Sequence, residues 1–585
     1  MLSTEYELRQ LPLSLPLVRR RVEAFLATNG LRLDDVDYMA GISRIDDDAL
    51  LACGALKGNI IKCVAVAAHM REDNLSLPLI SHLISTATAA GHTTLRVFTK
   101  PANQPIFESM GFHLLAQAPK AILMENSRQP LNDYKHYLQQ QRQSVGNDTP
   151  CGIIVMNANP FTRGHQYLIS TAAQQVAHLF VVAVKEDRSA FPYRERLAMI
   201  EAGCRQLGNI TVLKGSDYQI SAATFPSYFL KEVTDATDTH IALDLDLCCR
   251  HIAPALGATV RFVGSEPGDA LTQRYNQLMH EYLPAQGIAV TEVPRCTDER
   301  QQPVSASTVR RLLDTGHLQD AAKLVPHTTL PYLLAHLATK ALQTELDLTP
   351  KPGLVDRHDS GAHTDMDYAL MQQSIDILRP YFAEVARCAM DPDIDIAALQ
   401  RIGRQGEAQM LQATHGINTH KGAVFALGLT VAAAAHLLHT HQPLHAVALQ
   451  TTIARLARHI QPAAHTHGQQ AVSRYNVSGA LAQAQQGYPA LFSTWLPWLQ
   501  THRHDDDSLH RVLLNIMSTL DDTNILHRCG PEAAQQVKAE AAQLFDHYSP
   551  SAMQDMNRRY IADNLSPGGA ADMLALTVLI ADMLG

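Results

Sequence analysis

The chain has 585 residues, 46% of them apolar and 18% charged, with 48 basic against 57 acidic side chains. The length predicts about four domains or fewer, and the apolar share excludes disorder for the bulk of the chain. A formal charge of -9 and 6% aromatics speak against a nucleic-acid surface or a base-stacking platform, so no nucleic-acid partner is expected. The cysteines at 53, 63, 151, 204, 248, 249, 296, 388 and 529 are odd in number and include no CxxC. They read as reduced thiols of a cytoplasmic protein rather than a zinc ribbon or disulfide framework. The start, MLSTEYELRQ, lacks the apolar centre of a signal peptide. The apolar run Ala423–Ala435 falls short of the roughly 20 residues a membrane span needs, so it reads as a buried helix and no membrane partner is expected.

In chain order, residues 1 to 133 mix strands and helices. Strand-like runs cover 36–45, 49–56 and 60–67, with Lys57-Gly58-Asn59 as a hairpin turn between the last two. A helix is predicted over 75–90, closed by Gly91, then a strand over 94–99 and a short helix ending near Gly111. Residues 134–150 are polar and Gln-rich and read as a linker. From Cys151 the pattern alternates: strand 152–156, helix from Gly164, strand 179–184, helix 193–207, strands 210–213 and 259–263. Such alternation predicts a parallel sheet covered on both faces, closing near residue 325. The remainder, 326–585, carries helical periodicity, for example over 332–346, 367–390, 423–438 and 531–548, and reads as all-helical. The expected fold is therefore multidomain: α+β, then α/β with a Rossmann-like parallel sheet, then all-α.

Two motifs in the α/β region suit phosphate. In GIIVMNANPFTRGHQYLI a buried strand ends at Asn157, an Asn-Pro turn follows, and Gly164-His165 opens a helix. The free N–H groups and positive dipole end of such a helix attract anions, and His165 adds a donor. In PVSASTVRRLL, Ser305 and Ser307 can cap a helix whose first turn carries Arg310. Together these motifs resemble the HxGH and ISSTxxR signatures of the nucleotidyltransferase superfamily. Thr162 stands for the first histidine, and Ala306 for the second serine. More specifically, 151–325 resembles citrate (pro-3S)-lyase ligase, through NPFTRGHQYLI, KEDRSAFPYRERL, SAATFPSYFLK and VGSEPGDALTQRYNQLM.

That resemblance implies conversion of ATP and acetate into acetyl adenylate and pyrophosphate, then acetyl transfer to the prosthetic-group thiol of the citrate lyase acyl carrier subunit. It places His165 and Arg310 on the phosphates, Lys231 and Arg196 as helpers, and Glu266 after a strand end where open α/β sheets bind ligands. Asn157, Pro160, Phe161, Gly164, Ser305 and Ser307 complete the expected nucleotide set. Residues 1–120 resemble an N-acetyltransferase-like domain through strand order and FESMGF, 107–112. HMREDN, 69–74, stands where such domains carry a Gly-rich pyrophosphate turn, so docking of the carrier subunit or of its pantetheine-like arm is favoured over acyl-CoA binding.

The helical region holds a second set. LTPKPGLVDRHDSGAHTDMD, 348–367, reads as a rigid loop, with Lys351 and Arg357 suited to phosphate and Asp365 and Asp367 to Mg²⁺. HGINTHKG supplies Asn418, His420 and Lys421. DDTNILHR supplies Asp521 and Asp522. SPGGAADMLA supplies Ser566, Gly568 and Gly569 ahead of Asp572. Glycine-opened helix starts with scattered acids suit a polyphosphate–metal pocket, with Asp365, Asp367, Asp521, Asp522 and Asp572 as expected metal ligands. The constellation resembles triphosphoribosyl-dephospho-CoA synthase over 330–585. The resemblance implies that a ribose hydroxyl of 3′-dephospho-CoA displaces adenine at C1 of the ATP ribose. An oxocarbenium-like transition state there favours a nearby carboxylate, with Asp365, Asp367, Asp521 and Asp522 as candidates. The family's Gly-Ala-Arg-Gly-Glu-Ala is here GALAQA, 479–484, lacking the arginine and the acid.

The joint expectation is a bifunctional citrate lyase maturation enzyme, with ATP as substrate, Mg²⁺ as cofactor, and acetate, 3′-dephospho-CoA and the acyl carrier subunit as partners. The alternative is a pantetheine-phosphate-type adenylyltransferase fused to a non-catalytic nucleotide-binding scaffold. The histidines at 436, 439, 441, 445, 465, 467, 502, 504 and 510 read as solvated helix ends rather than a transition-metal site.

Overall fold

The computed structural model describes residues 5–146, 149–185, 189–219, 233–266, 269–461 and 479–585. The backbone forms two compact units, 1–159 with 164–303, and 160–163 with 304–585.

The first unit contains two sheets. The first is built from β1 (Tyr6–Gln10), β2 (Tyr38–Arg44), β3 (Leu50–Lys57), β4 (Ile60–Val66), β5 (Arg96–Thr99), β6 (His113–Gln117) and β7 (Ile122–Glu125), in the order β1-β2-β3-β4-β5-β7-β6. Neighbours are antiparallel except β4 and β5, which pair in parallel at Ile60 and Ile61. The expected hairpin is present. Gly58 takes φ +51, a conformation open to glycine at no steric cost. Asp37 accepts from Lys57 Nζ at 2.7 Å and from the Gly58 N–H at 2.9 Å. Helices α1 (Pro16–Thr28) and α2 (Ser76–Ala89) accompany this sheet. Leu79, Ile80 and Leu83 of α2 join its core.

Residues 134–150 correct the linker reading. Their first ten lie in α3 (Gln129–Gln143), which starts with a proline in its first turn and buries Leu131, Leu138 and Arg142. These residues recur at near-helical spacing, so an amphipathic stripe hides inside a polar composition.

The second sheet is wholly parallel, as the alternation predicts. Its strands β8 (Cys151–Met156), β9 (His178–Ala183), β10 (Ile210–Leu213), β11 (Ala258–Gly264) and β12 (Ala289–Val293) run in the order β10-β9-β8-β11-β12. β9 is fully buried along its length, as a strand covered on both faces must be. Helices α4 (Arg163–Ala173), α5 (Tyr193–Cys204), α6 (Val233–Leu247) and α7 (Ala270–Tyr282) lie in this stretch of chain, and α6 packs against β6 of the first sheet and against α7. The strand order reverses between β8 and β11. In open α/β sheets, ligands lie at the carboxyl ends of the strands flanking such a reversal.

The two sheets of this unit share a core and a buried polar tie. Arg96 Nε donates to the fully buried Glu125 at 2.9 Å, and Arg96 Nη1 donates to the Asp217 carbonyl at 2.9 Å. Tyr218 donates to Glu125 at 2.9 Å and lies under the Arg96 guanidinium, 4.5 Å from ring centre to Cζ.

The second unit is helical. It comprises α8 (Ala306–Asp314), α9 (Leu330–Asp347), α10 (Tyr368–Ala389), α11 (Ile396–Ala413), α12 (Lys421–His439), α13 (Ala446–Arg458), α14 (Ser508–Thr519), α15 (Thr523–Asp546), α16 (Pro550–Ala562) and α17 (Gly568–Leu584), with shorter helices between. α12 is long and apolar enough to cross a membrane, but most of it is buried inside this unit, as expected of a core helix. α15 kinks at Gly530, whose φ is +86. All nine cysteines are free thiols. His436 is buried rather than solvated, and His502 stacks on Trp498 at 4.2 Å. His465 and His467 lie outside the described residues.

Candidate active sites

In the first unit, Asn157 and Ala158 (φ +49) follow β8, and Ser265 and Glu266 follow β11. These are the strand ends at the reversal. Half-buried His165 stands in the first turn of α4. Burial, then the nearby Arg295, holds its pKa at about 4. The imidazole is therefore neutral at pH 7 and acts as a hydrogen-bond donor rather than a charge. Arg295 follows β12. It donates from Nε to the Ser265 carbonyl at 2.9 Å and forms an ion pair with Glu266. Desolvation lowers its pKa. Arg295 belongs to none of the sequence motifs; its signal is positional, a cation just after the last strand of the parallel sheet.

Arg196 is not a nucleotide helper. It is fully buried, and its guanidinium donates to the carbonyls of Phe191, Asn157 and Val184 at 3.0, 2.8 and 2.9 Å. It ties the ends of β8 and β9 together beneath the site. The exposed Asn157 donates to Ser189 at 3.4 Å. Lys231, with the whole FPSYFLK run, lies outside the described residues.

Pro160 and Phe161 are buried and are grouped with the second unit, whereas Gly164 is half-buried and grouped with the first. The Ser305–Arg310 motif is also grouped with the second unit. Ser305 caps α8, accepting from the Thr308 N–H at 3.0 Å and contacting the Ser307 hydroxyl at 2.9 Å. The expected hydroxyl cluster at a helix start is present, with half-buried Arg310 in the first turns of α8.

In the second unit the 348–367 segment is a loop, as expected, and its polar groups are largely consumed in holding it. Lys351 does not face phosphate. It is 1% exposed, and its Nζ lies 2.5 Å from Oε1 of the buried Glu345. Burial raises the Glu345 pKa while Lys351 opposes the rise. Buried Asp356 accepts the N–H groups of Lys351, His358 and Asp359 at 3.1, 2.7 and 3.2 Å. Gly353, at φ +68, is irreplaceable in this setting. A Cβ there would lie 1.9 Å from the Leu565 carbonyl oxygen, and its N–H donates to Asn557 at 2.9 Å. Arg357 is exposed and pairs with Asp347 at 2.7 Å. His363 meets Ser566 at 2.8 Å and is kept below its ordinary pKa by burial and Arg528.

The acids divide sharply. Asp365 and Asp367 are exposed, and Asp367 caps α10 by accepting from the Leu370 N–H at 2.9 Å. Asp521 is exposed and pairs with Lys538. Its neighbour Asp522 is buried and caps two helices at once. It accepts from the Asn524 N–H of α15 at 2.8 Å and from the Ala570 N–H of α17 at 3.0 Å. Gly569 permits this approach, since a Cβ would come within 3.0 Å of the carboxylate. Gly568 is equally tight, its Cβ position 2.7 Å from Asn524 Nδ2. Asp572 lies against Gly422, where a Cβ would stand 2.0 Å from Oδ2. Burial, then the charges of Glu345 and Asp522, raises its pKa well above the ordinary value. Among the described residues no three His, Cys, Asp or Glu side chains are grouped to hold a metal ion. The five acids expected as Mg²⁺ ligands therefore do not form one ligand set.

Around Asp572 the structure does gather a site. His420, 3% exposed, meets Ser374 through Nδ1 at 2.8 Å, and its Nε2 has no hydrogen-bond partner among the described residues. Burial and Lys351 lower its pKa to about 3. Asn418 accepts from the Lys421 N–H at 3.1 Å and so caps α12, and Lys421 pairs with Glu407. The hydroxyl of buried Tyr488 is unpartnered among the described residues, and its pKa is raised by burial and by Asp572. Glu345 was missed because it lies inside the apolar helix α9, six residues before Lys351, and Tyr488 because it lies 84 residues before Asp572 in the chain.

Residues 151–333 match the model of the citrate lyase ligase C-terminal domain, and residues 331–585 match that of ATP:dephospho-CoA triphosphoribosyl transferase. The citrate (pro-3S)-lyase ligase of Klebsiella pneumoniae is 42% identical over 331 residues, 56% of this chain and 95% of its own length. That of Escherichia coli K12 is 42% identical over 318 residues, 53% of this chain and 89% of its own. A probable 2-(5''-triphosphoribosyl)-3'-dephosphocoenzyme-A synthase of Pseudomonas syringae pv. syringae is 42% identical over 270 residues, 44% of this chain and 93% of its own. With nearly the full length of both kinds of relative covered, the chain belongs to two families at once, the citrate lyase ligases and the triphosphoribosyl-dephospho-CoA synthases.

Proposed function

We propose that this chain performs two steps of citrate lyase maturation. The observation that carries the reading is that two whole enzymes serving one prosthetic group are present in one chain, covered to 95% and 93% of the length of their relatives.

The N-terminal part joins ATP and acetate. An acetate oxygen attacks the α-phosphorus, the bond to the β-phosphate bridging oxygen breaks, and pyrophosphate leaves. The carrier-bound thiol then takes the acetyl group and AMP departs. At the reversal of the parallel sheet, neutral His165 and cationic Arg295 supply donors to the phosphates, and such preorganised charge is the main catalytic term in phosphoryl chemistry. Arg310, Ser305, Ser307 and Lys231 remain in the proposed set. The fold assignments are an N-acetyltransferase-like domain over 1–133, a nucleotidyltransferase-like domain over 151–325 and the helical synthase domain over 326–585.

The C-terminal part joins ATP and 3′-dephospho-CoA. A ribose hydroxyl oxygen of dephospho-CoA bonds to C1 of the ATP ribose as its proton passes to solvent, the C1–N9 bond breaks, and adenine leaves with the electron pair and is protonated in turn. Of the acids, Asp572 suits this chemistry best. A carboxyl held neutral by its surroundings donates a proton to a departing base, as raised-pKa acids do in glycoside hydrolysis. The cap acids Asp367 and Asp522 hold helix starts, and no step is assigned to a metal.

The test is to incubate the full chain with Mg·ATP and 3′-dephospho-CoA and to separate the nucleobases, with acetate-dependent pyrophosphate release measured in parallel. Adenine that appears only with dephospho-CoA supports the synthase half. No adenine leaves the helical half as a binding scaffold. A dinucleotide from a pantetheine phosphate, in place of acetyl adenylate, overturns the ligase half.

A further inference from the structure

A cavity of about 900 Å³ opens between α10, α11, α12 and α13, a volume typical of small-molecule sites. Its wall is mainly apolar, with Val385, Leu399, Phe425, Leu429, Leu456 and Leu481 among the lining residues. At one edge it reaches Lys421 and Gly422, and Gly422 is the residue against which Asp572 packs. The cavity is therefore continuous with the polar cluster.

Beyond Gly422, α11 and α12 carry Gly403, Gly406 and Gly428, of which Gly403 and Gly428 line the cavity, and they differ. At Gly406 an added Cβ would stand 2.5 Å from the Tyr381 ring, and at Gly428 2.1 Å from the Tyr381 hydroxyl. Packing explains both. At Gly403, which lines the cavity in mid-α11, an added Cβ would meet no described atom within 4 Å. Glycine inside a helix is destabilising relative to alanine, and it is kept where a backbone needs close approach by something else. Nothing described in this chain makes that approach. Beside it, at the cavity edge, stands the exposed guanidinium of Arg404, which forms no ion pair among the described residues.

We propose that this cavity receives the pantetheine arm of 3′-dephospho-CoA, with the arm passing over Gly403 and the pyrophosphate meeting Arg404. The arm is long, narrow and uncharged and suits an apolar slot, and the pyrophosphate at its end suits the exposed Arg404 cation at the mouth. The ribose beyond the pyrophosphate then lies toward Gly422 and Asp572. The proposal rests on the synthase reading of the C-terminal part, and it names where that reading's acceptor substrate binds.

The test is Gly403→Leu in the full chain. The new side chain enters open space and replaces a glycine in a helix, so the fold is expected to hold, which circular dichroism and the melting temperature check. In the adenine-release assay the KM for 3′-dephospho-CoA is expected to rise on the order of tenfold or more, as when a pocket loses room for part of its ligand, while the KM for ATP stays within about twofold. Arg404→Gln is expected to raise the same KM. An unchanged KM for dephospho-CoA in Gly403→Leu, or an equal rise for both substrates, overturns the assignment. If the unmodified chain releases no adenine, the synthase reading fails and the cavity is tested by calorimetric titration with 3′-dephospho-CoA. Weaker binding by Gly403→Leu then upholds the cavity, and equal or absent binding overturns it.

Discussion

Lys351→Met removes the cation from a pair in which Lys351 and Glu345 side chains are 1% and 5% exposed and 2.5 Å apart. Removing one partner of such a pair leaves a buried uncompensated charge, which costs about 3–5 kcal/mol. For a cooperative unit of this size, about 2–4 °C are lost per kcal/mol, so the melting temperature of the C-terminal transition is expected to fall by roughly 6–20 °C. The double variant Glu345→Leu/Lys351→Met removes both charges and is expected to recover most of that loss. The pH dependence follows from Glu345, whose pKa is raised by burial even with Lys351 present. Without Lys351 it rises further, so the native state binds more protons than the unfolded state above the ordinary carboxylate range. Stability of the variant then falls as pH rises, and the deficit is larger at pH 8 than at pH 5. Calorimetric scans of the full chain at the two pH values measure this. A loss below about 1 kcal/mol, additive with that of Glu345→Leu and independent of pH, would refute the idea that this ion pair holds the loop.

Arg295→Ala is expected to lower acetate-dependent pyrophosphate release by about 10²-fold or more, the scale of losing one charge-stabilising donor, and to leave adenine release unchanged. Burial is the larger cause of the low His165 pKa and Arg295 the smaller, so the same variant should raise the imidazole pKa only modestly from about 4 and leave it below the ordinary value, which histidine NMR resolves. Arg96→Met strips the cation from fully buried Glu125 and its bonded Tyr218. It is expected to destabilise the first unit by about 3–5 kcal/mol in denaturant titration, with the helical unit's transition unmoved. Gly422→Ala drives a methyl to 2.0 Å from the Asp572 carboxylate, and displacing that group should reduce adenine release more than tenfold while costing only about 1–3 kcal/mol of stability.

How far the chain could be read depends on which interactions are local. The parallel strands were legible because unbroken apolar runs, such as the wholly buried Leu179–Ala183, can only be covered on both faces. The helix over Gln129–Gln143 was hidden because its three buried positions are diluted by a polar surface. The acids show the sharper limit. Asp521 and Asp522 are neighbours of identical chemistry, yet one pairs with a surface lysine and the other caps α15 and α17 from inside the core. The partner that decides, the Ala570 N–H, lies 48 residues away. Lys351 read as a phosphate ligand because its loop looked solvated; only the fold brings up Glu345 and removes the charge from play. Motif residues pointed to glycine-opened helix starts of the kind that suit polyphosphate. They did not mark which acid is left with a proton to give. Burial and the neighbouring charges raise the pKa of Asp572, and both exist only after helices distant in sequence have packed together.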